Sequence, residues 1–203
     1  MKVALIGVTG RVGSRLAAEL LARGHSVTGI ARTLPKEQLR PGITVSLADA
    51  TKPSTLVHVI AGHDAVISAS RFQTSDADAL IAAVNQAGVK RLLVVGGAGS
   101  LEVAPGKPLV QTADFPDLYK SEALAGVRFL GRLRNEKDLD WTFLSPSAEF
   151  APGTRTEKFR TGGDELLVDA NGKSWISMED FAIALVDELE HPKHSRQRFT
   201  VGY

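Results

Sequence analysis

The 203-residue chain contains no cysteine. That single absence excludes disulfides, thiolate metal sites and thiol nucleophiles. It also lacks an excess of charge of either sign. The 24 basic and 23 acidic residues leave a net +1, too little to wrap a nucleic acid or lie on an anionic membrane. No apolar stretch is long enough to cross a bilayer. The apolar N-terminus is soon broken by Thr9, Arg11 and Arg15, so it reads as a buried strand entering a turn rather than a targeting segment. The expectation is one globular domain with a sizeable core. It is expected in the cytosol, as a monomer or homodimer, with neither nucleic acid nor membrane as a partner.

What is present is alternation. Apolar runs at residues 2–7, Ser26–Ala31, Ile43–Leu47, Ala65–Ser68, Arg91–Val95, 141–144 and 198–201 read as strands. Between them apolar residues recur at helical spacing: Val12, Leu16, Leu20 and Leu21; Leu80, Ile81 and Val84; Leu124, Val127, Leu130 and Leu133; Phe181, Leu185 and Leu189. A short helix over 53–61 has proline in its first turn. Ser75-Asp76-Ala77-Asp78 resembles a capping box, and Ser177-Met178-Glu179-Asp180 caps the last helix. Residues 100–117 and 148–173 lack periodicity and read as irregular segments forming a small substrate lobe. Strand–helix alternation predicts an α/β doubly wound parallel sheet, Rossmann-like, in the order 3-2-1-4-5-6. Ligands in such sheets bind beyond the carboxyl ends of the strands, where the order reverses.

The first strand–helix junction carries Gly7, Gly10 and Gly13 at three-residue spacing. A strand, a glycine turn and a helix N-terminus make an anion site, because free N–H groups and the helix dipole both favour negative charge. Gly7 allows the tight turn, Gly10 lets a pyrophosphate approach the backbone, and Gly13 lets the helix pack on the strand. Thr9, Arg11 and Val12 complete the turn. Where NAD-binding chains carry an acidic residue, this one has Arg32, which suits the 2′-phosphate of NADP, with Arg11 able to flank it. NADP(H) is therefore expected over NAD(H); the bland reading of Arg32 is a solvated cation. Asp49, beside Ala50, either accepts from the adenine amine or caps the next helix.

The Gly7-x-x-Gly10-x-x-Gly13 pattern with Thr9 resembles the atypical short-chain dehydrogenase/reductases. LLVVGGAGSLEVAPG, LDWTFLSPSAEF and SWISMEDFAIALVDELEHP are similar to the single-domain NAD(P)-binding proteins often called NADH-flavin reductases, relatives of biliverdin reductase B. The resemblance implies nicotinamide above the ends of strands four to six. It implies Ala69 and Ser70 near the ribose, and Gly96, Gly97 and Ser100 lining the nicotinamide pocket. Ser145, Pro146 and Ser147 would run along the nicotinamide. Ser100 falls at the strand-end serine of the reductases. It either orients a substrate carbonyl or satisfies backbone in the glycine-rich turn.

One departure matters. Typical short-chain enzymes use a tyrosine and a lysine four residues apart as a proton relay. Here Tyr119 is followed by Lys120, and position 123 is Ala123. Two function classes remain: a reductase that passes hydride from NADPH to a flavin or other planar acceptor, the flavin acting as substrate; and a non-catalytic NAD(P) sensor like the NmrA-like regulators. Phe115, Phe150 and Phe159 are candidates to stack on a planar substrate or to pack in the core. Arg155 and Arg160 are candidates to meet an anionic substrate or to sit on a charged surface.

Overall fold

The computed structural model describes residues 1–34 and 39–203. At its centre is an eight-stranded sheet with helices on both faces. In chain order the elements are β1 (Lys2–Ile6), α1 (Arg11–Ala22), β2 (Ser26–Ala31), β3 (Ile43–Leu47), α2 (Pro53–Ile60), β4 (Ala65–Ser68), α3 (Ala77–Gln86) and β5 (Arg91–Val95). There follow β6 (Glu102–Ala104), β7 (Lys107–Pro108), α4 (Asp117–Arg134), β8 (Asp140–Ser145), β9 (Glu149–Ala151), β10 (Arg160–Gly162), β11 (Trp175–Ser177), α5 (Met178–Glu190) and β12 (Gln197–Gly202).

The strand order β3-β2-β1-β4-β5-β8 is the expected 3-2-1-4-5-6. The closing strand β12 extends it in parallel, and β10 adds an antiparallel edge. β1, β4, β5 and β8 are covered on both faces, which is why they read as unbroken apolar runs. One core lies under α1 and α5, with Leu16, Leu20, Phe181 and Leu185. The other lies under α2, α3 and α4, with Leu56, Leu80, Phe129 and Leu133. Trp141, at the start of β8, is a core residue of this second layer.

Three local expectations are corrected. The cap of α3 is Asp76, whose carboxylate accepts from the Ala79 N–H at 3.0 Å. Ser75 is already committed, since its hydroxyl donates to the Arg71 carbonyl at 2.7 Å. Residues 100–116 hold the β6–β7 hairpin and a single helical turn, Leu109–Gln111. Residues 148–173 hold β9 and β10. These short strands escape a periodicity reading because three residues cannot display a period. The two irregular segments meet: the Glu102 N–H donates to the Asp164 carbonyl (2.8 Å), and the Leu166 N–H to the Glu102 carbonyl (2.9 Å).

Candidate nucleotide-binding site

Parallel pairing aligns Ile6 with Ile30 on one side and with Ser68 on the other. The residues that follow these aligned positions, Gly7, Ala31 and Ala69, therefore emerge together at the point where the sheet order reverses. A cleft of about 320 Å³ opens there, lined by Gly7, Thr9, Gly10, Arg32, Asp49, Ala50, Ala69 and Ser70 from among the expected residues.

Each glycine of the turn has its own steric reason. Gly7 lies at φ +82°, and a Cβ there would sit 2.8 Å from the Ala69 carbonyl oxygen. A Cβ on Gly13 would sit 2.1 Å from the Gly7 oxygen, so only glycine lets α1 start this close to β1. Above Gly10, among the described residues and apart from its chain neighbours, such a Cβ would lie within 4 Å of the Gly7 oxygen alone, at a tight 3.1 Å. Helix packing thus demands Gly13, while at Gly10 a Cβ would press only on the Gly7 oxygen and on no side chain of the described residues. Gly10 is also the N-cap of α1, with no capping side chain and no acidic residue in the first turn. The first helical bond runs from the Ser14 N–H to the Gly10 carbonyl. Among the described residues the N–H groups of Arg11, Val12 and Gly13 have no backbone acceptor, which leaves them for an anion.

The cleft walls are cationic on balance, with Arg32 and Arg71 against Asp49. Arg32 is exposed, and among the described residues no carboxylate is ion-paired to it. Asp49 accepts from the Thr51 N–H (3.0 Å) and hydroxyl (2.8 Å). Those bonds hold its carboxyl below the usual carboxylate range. The N-cap of α2 is Lys52, so Asp49 shapes the turn before the helix rather than capping it.

Gly96, Gly97, Ser100, Ser145, Pro146 and Ser147 lie at the ends of β5 and β8, outside that cleft. Gly96 cannot carry a side chain, because a Cβ would meet Phe143 at 2.4 Å and the Leu144 oxygen at 2.6 Å. Ser145 is fully buried, and Ser147 donates to the Val201 carbonyl at 3.0 Å. Their hydroxyls are turned into the fold. Ser100 is partly exposed and accepts from Arg198.

A family model for NAD(P)H-binding proteins matches residues 7–192. The chain belongs to that NAD(P)H-binding family. It is 39% identical to the uncharacterised protein YwnB of Bacillus subtilis, over 99% of this chain and 98% of that one. A solved structure from Burkholderia pseudomallei, provisionally named an exported protein, is 48% identical, with full coverage of both chains and a TM-score of 0.92. A structure from Streptococcus pneumoniae, provisionally named an NADH-flavin reductase, is 35% identical over 100% of this chain and 99% of that one, with a TM-score of 0.86.

In this NAD(P)H-binding chain several wall residues went unread in the sequence: Thr33, Thr51, Arg71 and Thr74. Thr51 was findable, since a threonine two residues after an aspartate is a common turn partner. Arg71 and Thr74 depend on a helical turn, Phe72–Thr74, that is pinned from α4 by Glu122 accepting from the Phe72 N–H at 2.6 Å. Phe150 and Phe159 pack on the core, Phe115 is half-buried outside both core clusters, and Arg155 and Arg160 are held by neighbours on the surface. Phe150 lies against Phe181 at 4.7 Å, and Phe159 packs on the first core. Arg155 is paired with Glu19 at 3.1 Å, and Arg160 donates to the Val168 and Tyr203 carbonyls. His194 stacks on Phe199 and bonds Glu188 at 2.8 Å. Among the described residues no helix is long and apolar enough to cross a membrane.

Proposed function

We propose that this NAD(P)H-binding protein is an NADPH-preferring reductase that passes hydride to a flavin or another planar acceptor, in the cytosol. Pyrophosphate would rest on the free N–H groups of Arg11, Val12 and Gly13, against the bare backbone of Gly10. The 2′-phosphate would meet Arg32, with Arg11 and Arg71 nearby. Ala69 and Ser70 would pass the ribose on toward Gly96, Gly97 and Ser100, with Ser145, Pro146 and Ser147 forming the floor under the nicotinamide. Segments 100–117 and 148–173 would close over the acceptor.

The observation that carries this reading lies on α4. Tyr119 is 60% exposed. Ala123 stands where a relay lysine would be, and it packs so closely on Gly99 that a Cβ there would lie 2.8 Å from its own. The alcohol–carbonyl proton relay has no place here. Flavin reduction depends instead on stacking and orientation. When bound, NADPH supplies a hydride from its nicotinamide to the flavin ring; with one proton from water, the products are NADP⁺ and dihydroflavin.

The test follows the loss of reduced-nicotinamide absorbance with FMN, FAD, riboflavin and quinones supplied in turn. Turnover on at least one is expected. Tight NADPH binding without turnover on any of them replaces the reductase with the NmrA-like sensor.

A further inference from the structure

We infer that Arg198 is a positioning residue for Ser100, fixing its hydroxyl as a hydrogen-bond donor toward the acceptor. The inference rests on the reductase reading above. Arg198 sits on β12 in register with Phe143, its side chain only 2% exposed. Its Nε donates to Asp164 Oδ1 at 2.7 Å, and Nη2 reaches the same oxygen. Nη1 lies 3.4 Å from both Ser100 Oγ and Ser145 Oγ, and Nη2 lies 3.5 Å from the Ser100 carbonyl. Thus one guanidinium ties Ser100, the end of β8 and the Asp164 segment together.

A guanidinium has donors and no acceptor. Both serine oxygens must therefore accept from it, and their protons must go elsewhere. Ser145 is fully buried. Ser100 is partly exposed at the strand end, and among the described residues no group accepts its proton. The guanidinium behind it faces Asp164, which is shared with Arg134 at 3.2 Å, and the charge of Glu102, so the carboxylates lie on its far side and its Nη1 donor is left to the two serine oxygens. Hydride arrival leaves the acceptor ring with an added negative charge until water supplies a proton. A serine O–H backed by a buried cation is arranged to stabilise that charge.

A double-mutant cycle tests this, using Ser100→Ala, Arg198→Met and the pair. NADPH oxidation is followed with FMN, or with whichever acceptor the wild type turns over. Each single change is expected to lower kcat about tenfold to a hundredfold. NADPH affinity by fluorescence should stay within about twofold, and the double variant should be no slower than the slower single. As a readout without turnover, acceptor affinity on NADP⁺-saturated protein should fall with Ser100→Ala and fall no further when Arg198→Met is added. Arg198→Gln serves in the same cycle if the methionine variant fails to fold by circular dichroism. Losses that multiply in an active protein overturn the inference and leave the reductase reading standing. A folded wild type that binds NADPH but turns over no acceptor removes both.

Discussion

Around Gly7, Gly10 and Gly13 the protein presents bare backbone. Around Ser100, Ser145 and Ser147 it presents side chains already engaged by β12, through Arg198 and the Val201 carbonyl. In the first region the N–H groups of the first turn of α1 and the Arg32 guanidinium find no partners among the described residues, and the cleft is already open. In the second, Ser145 and Ser147 are buried and bonded inward, and Ser100 is held by Arg198. The difference follows from what each region is asked to recognise. A phosphate is met by dipoles and charge, which need only be left free. A reacting ring needs fixed orientation, which means side chains locked by their own neighbours. Free groups lower stability locally, while locked groups raise it, so substitutions in the two regions should separate binding from folding.

The largest effect should come from Gly13, which belongs to packing although it sits in the binding turn. In Gly13→Ala the new Cβ meets a backbone oxygen at 2.1 Å, and neither α1 nor β1 can yield without losing its core. Denaturant unfolding should show a loss of about 3 kcal/mol or more. Near-wild-type stability would show that the close approach of α1 to β1 is not what the glycine serves. Arg32→Ala comes next and should leave folding unchanged. Calorimetry should show NADPH weakened by about 1.5–3 kcal/mol and NADH hardly at all, since only NADPH carries the 2′-phosphate. Equal losses for both would remove Arg32 as the reader of that phosphate. Gly10→Val should also fold, because its Cβ would press only on the Gly7 oxygen, at 3.1 Å, and a shift of a few tenths of an ångström relieves that, yet weaken both nucleotides at least tenfold, about 1.4 kcal/mol. A folded Gly10 variant with full affinity would move the pyrophosphate away from this turn.

The same contrast explains what could be read from the sequence. The glycine turn, Arg32 and Asp49 are local signals: each lies within a few residues of the strand end that displays it, and all three line the cleft. The sheet order as far as β8 followed from alternation, because a crossover between parallel strands has one favoured hand. Arg198 was not legible. It sits in an apolar run, where a charge usually marks a strand edge, and its partners Ser100 and Asp164 lie 98 and 34 residues away. Nor was the meeting of residues 102 and 164, which depends on backbone bonds between two segments with no period of their own. Sequence pattern reports faces and turns, whereas a buried polar network is a property of the assembled fold.

The smallest expected effect is the sharpest on mechanism. Tyr119 lies on the first turn of α4, 60% exposed, and Lys120 beside it makes a surface contact with Asp117, at 3.9 Å. Neither side chain lines the cleft. If the protein reduces a flavin without a protein acid, removing the phenol oxygen should change almost nothing. Tyr119→Phe should retain kcat and kcat/KM within about twofold, with stability within about 0.5 kcal/mol, as for a surface substitution away from any network. A hundredfold loss of kcat with NADPH affinity intact would mean that the phenol reaches the acceptor during turnover. That would require α4 and the hairpin β6–β7 to close over the strand ends, and it would restore a proton relay that the positions of Ala123 and Gly99 otherwise exclude.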